Sequence, residues 1–284
     1  MALDGLVISN LVHDCCHHLI GGRIYKIYQP ENDELTFIIK NNRSTYRLLL
    51  SASASLPLVY LTTEAKNNPV QAPNFCMLLR KHINNGRIVK IHQPGFERIL
   101  IFTIEHLNEL GDLCRKQLIV EIMGKHSNII FCNDKGMILD SIKHVSAQMS
   151  SVREVLPGRD YFIPDTMSKL DPLDVTESVF RDGLISKPMP LAKAIYNSFT
   201  GVSPVAAEEI CHLAGVDSAL PPRELSEDVL AHLYRQFTYF FEQVANGDFS
   251  PQIYYEGDDP VEFSSIPLTH LENYRVRTFD SISE

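Results

Sequence analysis

An internal duplication constrains the fold of this chain more than any other feature. Residues 22–30 read GRIYKIYQP and residues 86–94 read GRIVKIHQP, so seven of nine positions are identical at an offset of 64 residues. Self-similarity at a fixed offset indicates one structural unit that is used twice. The chain therefore has to adopt an architecture that accommodates two equivalent units.

A helix is predicted before each copy. The helical patterns cover about residues 4–20 and 73–84, and Gly22 and Gly86 follow them directly. A glycine just past a helix commonly adopts the left-handed conformation that closes it. We therefore expect these two glycines to be the caps.

Each copy itself predicts a β-hairpin. Arg-Ile-x-Lys-Ile alternates polar and apolar residues, which is typical of a half-buried strand, and Gln-Pro begins a turn. Return strands are predicted at about 35–40 and 99–105, and further strand patterns follow both. The fold class is therefore α+β. Its antiparallel β-rich domain contains a duplicated helix-hairpin unit and closes on itself as a sandwich or partial barrel.

The second part of the chain has a helical pattern. We predict three regions: a β-rich domain at 1–166, a helical region at 172–246 with a helix-hairpin-helix module at about 191–216, and short strands at 247–284. The last residues resemble the start of a helix, so we expect the chain to be part of a longer protein.

The charge is distributed unevenly. The net charge is −9, yet residues 1–166 carry 18 Lys and Arg against 16 Asp and Glu, whereas residues 167–284 carry 8 against 19. The two parts therefore have net charges of +2 and −11. An acidic chain is a poor candidate for tight nucleic-acid binding on its own, so any polyanion is expected at the first part.

Several classes are excluded by pattern. No apolar run approaches the ~20 residues that span a bilayer. The N-terminus has no Lys or Arg before Arg23, so a secretory signal is not predicted, and we expect a cytoplasmic protein without a membrane partner. No cofactor motif is present. Residues 15–18 read CCHH, but adjacent ligands on a helix diverge, which favours a structural role over a metal site.

The segment 195–216 predicts the helix-hairpin-helix. Gly201 forms the turn and Ser203 caps the second helix. Such a turn presents backbone N–H groups to a phosphate, although plain helix packing is the alternative. Ser203 replaces a usual glycine, and Glu208 and Glu209 would repel a polyanion.

Candidate functional residues also lie at a hairpin turn and at a predicted helix N-terminus. Glu97 and Arg98 end a hairpin turn, and they form either a solvated ion pair or a contact with phosphate and bases. Asp4 precedes an apolar run and is expected to be a helix N-cap.

The turn at residues 124–128 is a candidate anion-binding site. Gly124, Lys125, His126, Ser127 and Asn128 lie between two strand patterns. A glycine, two side chains able to carry positive charge and two short polar side chains suit an anion-binding turn. A tight hairpin turn without a ligand is the alternative.

These motifs resemble one family. The runs GGRIYKIYQP, NFCMLLRKHINNGRIVKI, EIMGKHSNII with SIKHV, and LPGRDY are similar to the N-terminal half of the RqcH/NEMF proteins, also called NFACT or FbpA-type fibronectin-binding proteins. The similarity is greatest to the bacterial RqcH branch. It implies an NFACT-N domain with a helix-hairpin-helix module, followed by a coiled coil and an RNA-binding domain. The fold also resembles the N-terminal domain of formamidopyrimidine-DNA glycosylases.

The resemblance implies a role in ribosome-associated quality control. Such proteins bind an obstructed large ribosomal subunit carrying peptidyl-tRNA and recruit alanyl-tRNA for untemplated C-terminal alanine tailing, which marks the stalled chain for degradation. The subunit itself makes the peptide bonds, so we do not expect an enzyme. The alternative is a surface adhesin whose partner is fibronectin or fibrinogen.

The resemblance also assigns residues. The family's acidic-arginine pair, which contacts the tRNA, falls on Glu97 and Arg98, with Glu in place of the usual Asp. The family's functional N-terminal aspartate falls on Asp4. The chain begins with Met1 and lacks the N-terminal proline nucleophile of the glycosylases, so their chemistry is not expected.

Overall fold

The computed structural model describes residues 3–165 and 167–284. One antiparallel sheet of nine strands dominates it, with the order β4-β3-β2-β1-β5-β6-β7-β8-β9. The strands are β1 (Arg23–Glu31), β2 (Glu34–Asn41), β3 (Ser44–Ser51), β4 (Leu58–Thr62), β5 (Arg87–His92), β6 (Ile99–Leu107), β7 (Leu113–Glu121), β8 (Asn128–Asn133) and β9 (Ile138–Ser141). The helices are α1 (Gly5–Leu19), α2 (Asn74–Ile83), α3 (Glu177–Ile185), α4 (Leu191–Ser198), α5 (Pro204–Ala214) and α6 (Glu227–Ala245). The predicted α+β class is confirmed.

The duplicated strands β1 and β5 meet at the centre of the sheet. Ile24 donates its backbone N–H to the carbonyl of Gly86 at 2.8 Å. The equivalent Ile88 donates to the carbonyl of Gly22 at 2.9 Å. Both strands also carry a β-bulge at the same position of the repeat. The two copies are therefore related by a pseudo-two-fold axis between β1 and β5.

The two helices are exchanged across this axis, since α1 lies against β5 and α2 lies against β1. Cys16 on α1 donates its thiol to the carbonyl of Ile91 at 3.3 Å. At the equivalent position of α2, Arg80 donates to the carbonyl of Ile27 at 2.8 Å. Each helix thus covers the strand of the other copy.

The expectation that Gly22 and Gly86 are left-handed caps is wrong by one residue. The left-handed positions are Gly21 (φ 84°) and Asn85 (φ 64°). A Cβ on Gly22 would lie 2.7 Å from Cγ2 of Ile39, and Gly86 has the same restriction against an isoleucine of β6. These glycines are therefore required for close packing of the helix end on the sheet.

The main core lies between the two halves of the sheet. It combines apolar residues from β1 to β8 with the inner faces of α1 and α2. A cavity of only about 10 Å³ is lined by side chains of both halves, so the halves face each other. The sheet therefore closes around its two helices. A second, smaller core covers the opposite face of β6 to β9.

The helical part has its own core, which is rich in phenylalanine. Phe180, Phe199 and Phe237 are fully buried and in mutual ring contact at centroid distances of 4.6 to 5.7 Å. Leu6 and Phe96 from the β-rich part belong to the same core. In the predicted helical region at 172–246, the first helix begins at Glu177. The division at 1–166, 172–246 and 247–284 stays a prediction.

A small sheet follows the helices. Its strands are β10 (Gln252–Glu256), β11 (Asp259–Ser264) and β12 (Arg275–Thr278), in the order β11-β10-β12. Across the described part of the chain, no helix combines the length and the apolar character needed to cross a bilayer.

Candidate functional site

A cleft of about 620 Å³ lies where the β-rich part meets the helical part. Its lining includes the start of α1, the turn before β6, the turn before α5 and, on the outer side, residues between 163 and 169. The predicted site residues that line it are Asp4, Glu97, Arg98, Gly201 and Ser203. Five positions that the sequence singled out for different reasons are therefore neighbours in space.

The turn before β6 is held by one amide side chain. Gln93 donates its Nε2 group to the carbonyl of Gly5 at 3.0 Å and to that of Glu97 at 2.8 Å. Gly95 and Phe96 are both left-handed, and the Phe96 ring is buried edge-on against Phe241 at 5.4 Å. The turn is thus fixed to α1 and to the helical core, and it presents the next two side chains to the cleft.

Two helix N-termini meet in the wall of the cleft. Asp4 caps α1 by accepting the N–H of Val7 at 3.0 Å, and Ser203 caps α5 by accepting the N–H of Ala206 at 3.3 Å. The Ser203 hydroxyl also donates to Asp4 Oδ2 at 2.5 Å. One hydrogen bond therefore connects both caps, and the expectation of an N-cap at Asp4 is confirmed.

The same junction is tight at the backbone. Gly5 donates its N–H to the carbonyl of Gly201 at 2.8 Å. A Cβ built on Gly201 would lie 2.2 Å from the carbonyl oxygen of Phe96 and 3.1 Å from Cα of Gly5. Gly201 therefore forms the turn, as predicted, and its missing side chain also allows the helical part to reach the sheet.

The electrostatics of the cleft are unusual at three groups. Burial raises the pKa of Asp4 to about 6, and the hydrogen bonds from Ser203 and from the α1 backbone offset this only in part. Burial also raises the pKa of Glu97, although Arg98 opposes the shift. On the facing wall, burial and the nearby Arg98 lower the pKa of Lys169.

The side chains of Glu97 and Arg98 have no hydrogen-bond or ion-pair partner among the residues that the structure describes. Glu97 is half-buried and Arg98 is exposed. No ion pair closes these two side chains within the described ranges, and whether they form a solvated pair or contact a ligand stays a prediction.

The pKa of Asp4 gives a prediction for stability. The pKa of Asp4 is about 6 in the folded protein, above the ordinary value of 3.8. Protonated Asp4 therefore stabilises the fold fully below pH 3.8, and this stabilisation is lost as the pH rises through 6. The difference corresponds to about 3 kcal/mol. Asp4→Asn keeps an oxygen for the N–H of Val7, cannot accept the Ser203 hydroxyl at its amide nitrogen, and cannot titrate. We expect the variant to gain about 3 kcal/mol relative to the parent between about pH 4 and pH 7, measured by urea unfolding.

The exposed aspartate Asp134, changed to Asn, is the control for this experiment. Its free energy of unfolding should follow that of the parent at each pH. Parallel curves for the parent and the Asp4→Asn variant would contradict the assigned ionisation of Asp4.

The turn at 124–128 lies outside the residues that line the cleft. It forms a short 3₁₀ helix in which Lys125 and His126 are exposed. Ser127 is buried and accepts the N–H of Met123 at 2.9 Å. The Asn128 amide is bound to the backbone of Lys143 in both directions, at 2.9 and 3.1 Å. Two of the side chains therefore fix the turn, and two remain free at the surface.

Sequence reasoning missed the outer wall of the cleft, which includes Asp165 and Lys169. The part of this wall next to Tyr161 is held by a buried network: Glu121 on β7 pairs with Arg153, and Tyr161 donates to Glu121 at 2.9 Å. Tyr161 belongs to the LPGRDY run, but nothing in that run shows its distant partner.

The expectation that Glu209 repels a polyanion is wrong. Glu209 is buried, and it accepts two hydrogen bonds from Thr269 and two from His270 at 2.5 to 3.1 Å. Burial by itself would raise its pKa, but these bonds outweigh burial and lower it. The carboxylate connects α5 to the segment before β12 and does not face a ligand.

Among the described residues, no three His, Cys, Asp or Glu side chains are placed to share a metal ion. Within the CCHH run, Cys15 is buried in the core and His18 contacts the backbone of Asp14 at 2.8 Å.

The sequence matches the protein family described as NFACT N-terminal and middle domains over residues 4–284. The Rqc2 homolog RqcH of Bacillus subtilis (strain 168) is 40% identical over 285 residues, which cover 100% of this chain and 48% of that protein. The chain thus spans about half of this relative's length.

Two solved structures have the same fold. The fibrinogen binding protein from Staphylococcus aureus superposes with a TM-score of 0.81 at 28% identity, covering 100% of this chain and 97% of the other. The N-terminal structure of the fibronectin/fibrinogen-binding protein from Streptococcus suis superposes with a TM-score of 0.79 at 31% identity, covering 99% and 96%. The chain belongs to the NFACT family and comprises its N-terminal and middle domains.

Proposed function

We propose that this chain is the tRNA-positioning half of a ribosome-associated quality control factor. It acts on obstructed large ribosomal subunits that carry peptidyl-tRNA, and it recruits alanyl-tRNA for untemplated alanine tailing of the stalled chain. The similarity to proteins named Rqc2 homolog RqcH supports this proposal. The protein works in the cytoplasm, in association with the ribosome.

The availability of Glu97 and Arg98 in the cleft is the observation that carries the proposal. A guanidinium group binds phosphate through two parallel N–H bonds or stacks on a base. A carboxylate beside it accepts a hydrogen bond from a base amino group. Unstacked bases in RNA loops expose both kinds of group. A glutamate and an arginine side by side in a cleft, without partners among the described residues, therefore fit the loop of a tRNA.

The helix-hairpin-helix turn supports a phosphate contact next to this pair. The N-terminus of α5 opens at the cleft, and a helix N-terminus favours an anion. The hydroxyl of Ser203 is engaged by Asp4, so the backbone of the turn at Gly201, rather than that hydroxyl, would meet the phosphate. Asp4 holds the two helix ends in place for this contact.

The role is one of positioning. Each group named above binds or orients RNA, and none is assigned a bond-making step. The ribosomal subunit forms the peptide bonds, so we propose that the protein is not an enzyme.

An RNA pull-down tests the proposal. The protein is tagged in its own cells and purified, and the RNA that accompanies it is sequenced. A second sample carries Glu97→Ala with Arg98→Ala, and a matched control carries Arg223→Ala with Glu224→Ala, an exposed neighbouring pair outside the cleft. We expect large-subunit RNA with one enriched tRNA family, and loss of that tRNA only in the cleft variant.

A pull-down without ribosomal RNA and without an enriched tRNA would contradict the proposed function. Equal loss of tRNA in the cleft variant and in the control variant would contradict the site while leaving the function standing.

Arg98→Ala gives a further prediction. The side chain is exposed and has no partner among the described residues, so its removal should leave the melting temperature within about 1–2 °C of the parent. Loss of one charge-assisted contact should reduce tailing of a reporter nascent chain by about tenfold. Arg235→Ala on the exposed side of α6 is the control. An unchanged tail length would contradict the role of Arg98.

The second candidate function is adhesion. The names of the two solved structures, which refer to fibrinogen and fibronectin binding, favour it. Binding of the purified protein to fibronectin at physiological salt, together with its detection on the surface of intact cells, would support an adhesin. Absence of either result would exclude this as the main function.

A further inference from the structure

The outer face of the sheet carries a cluster of cations at the pseudo-two-fold axis. We call it the basic face. All of its charged residues are exposed and lie on β1, β2 and β5. They are Arg23, Lys26, Lys40, Arg87 and Lys90. The cluster lies in the β-rich part, where the sequence places the positive charge of this acidic chain.

Strand register brings these cations side by side. Arg23 on β1 lies directly opposite Lys40 on β2 and opposite Arg87 on β5. Three cations thus occupy one row across three neighbouring strands. Lys26 and Lys90 occupy equivalent positions of the duplication, each three residues beyond the row, and because β1 and β5 are antiparallel they lie on its two sides. Like charges directly opposite each other in a sheet are destabilising.

The protein does not neutralise this face. None of the five cations forms an ion pair with a carboxylate among residues 3–165 and 167–284. On the next strand, Glu105 lies opposite Arg87, but its carboxylate pairs with Arg115 at 3.1 Å. A chain with 35 Asp and Glu therefore leaves this row of cations without a carboxylate partner among the described residues. An external anion would remove the repulsion between these like charges.

A tyrosine stands in the middle of the cluster. Tyr25 forms the bulge of β1 and is 38% exposed. The ammonium group of Lys40 lies 3.7 Å from the ring centroid, Lys26 lies at 5.4 Å and the Arg23 guanidinium at 5.8 Å. The second copy has Val89 at this position. An exposed aromatic ring among cations is the arrangement that binds a nucleobase next to its phosphates.

We propose that the basic face is a second RNA-binding surface. Its cations contact the phosphates of a single-stranded segment, and Tyr25 stacks on one base. Seven residues of β6 separate Arg98 from the row that contains Arg87, which corresponds to about 24 Å. The face and the cleft therefore contact different nucleotides. The choice of RNA over other polyanions rests on the proposed function.

Salt dependence of binding tests this proposal directly. The test variant carries Lys26→Glu, Lys40→Glu and Lys90→Glu. The matched control carries Lys81→Glu, Lys135→Glu and Lys193→Glu, which change the net charge equally at exposed lysines outside the basic face. A short fluorescent single-stranded RNA of mixed sequence is titrated at several KCl concentrations, and its anisotropy is measured.

We expect the test variant to lose at least about tenfold in affinity at low salt. The slope of log K against log salt should decrease in magnitude by about 2, since each lost phosphate contact removes about 0.7. The control should keep the slope of the parent. Tyr25→Ala should weaken binding by about tenfold without a change in slope, whereas Tyr25→Phe should retain it.

Misfolding is separated from loss of binding by the melting temperature. Lys40→Glu places a carboxylate opposite Arg23, so the test variant should melt no lower than the parent. A parent that does not bind the RNA, or equal losses in the test and control variants, would overturn the proposal. Binding of poly-glutamate as tight as binding of the RNA would also overturn the proposal, because it would indicate an acidic protein as partner. Failure of the proposed function would be seen in a different experiment, the pull-down of ribosomal RNA and tRNA.

Discussion

Gly201→Ala is expected to lower the free energy of unfolding by about 4 kcal/mol. Gly201 has φ 74°, a conformation that costs a residue with a Cβ about 1–2 kcal/mol. The added methyl group would also lie 2.2 Å from the carbonyl oxygen of Phe96, and this oxygen belongs to backbone that is fixed by the Gln93 side chain. Overpacking of such a junction adds about 1–3 kcal/mol to the cost. The loss is measured by urea unfolding, with the dependence of the free energy of unfolding on urea concentration unchanged between parent and variant.

Gly215→Ala is the matched control for this prediction. Gly215 closes α5 with φ 67°, and no atom lies within 4 Å of the place where its Cβ would be. This variant should lose only the conformational cost of about 1 kcal/mol. If both variants lose the same amount, the close approach of Gly201 to Phe96 does not limit stability, and the geometry described for the junction is incorrect.

Arg153→Met is expected to lower the free energy of unfolding by about 3–5 kcal/mol. Arg153 is the cationic partner of Glu121, which has no exposed surface, so its removal leaves a buried carboxylate whose remaining partner, among the described residues, is the hydroxyl of Tyr161. The pair also holds the part of the outer wall of the cleft next to Tyr161. We therefore expect RNA binding at the cleft to weaken under conditions in which the variant is still folded.

Arg115→Met provides the comparison. Arg115 pairs with Glu105 at 3.1 Å, but its side chain is 61% exposed, so its loss should cost less than about 1 kcal/mol. Adding Glu121→Gln to Arg153→Met removes the stranded charge and should restore part of the stability. A double variant that is no more stable than Arg153→Met alone would show that packing, and not charge, determines the loss.

The sequence predicted the repeat but not the way in which its copies join. Alternation of polar and apolar residues defined β1 and β5, and the offset of 64 residues identified them as equivalent. Pairing between them depends on backbone groups of Gly22 and Gly86, which carry no side-chain pattern. The same limit explains the misplaced cap, because two adjacent residues at a helix end differ only in tertiary packing.

The candidate site could also be predicted only in part from the sequence. Asp4, Glu97 and Arg98 were identified from capping and from family motifs, and the structure brings them to one cleft. The ion pair between Glu121 and Arg153 joins residues 32 positions apart, and no periodicity indicates such a pairing. Glu209 was judged from its charge alone, whereas its burial depends on a segment 60 residues farther along the chain.

The pseudo-two-fold axis has a consequence for how such a chain could be divided. Each copy supplies one strand, β1 or β5, whose open edge is covered only by the other copy. A peptide that ended between β4 and α2 would leave that edge free, together with the apolar surface that the opposite helix normally covers. Because the two edges are equivalent, the free half would be complementary to a second molecule of itself. The present chain is in this sense an intramolecular dimer, and its two halves depend on each other as subunits do.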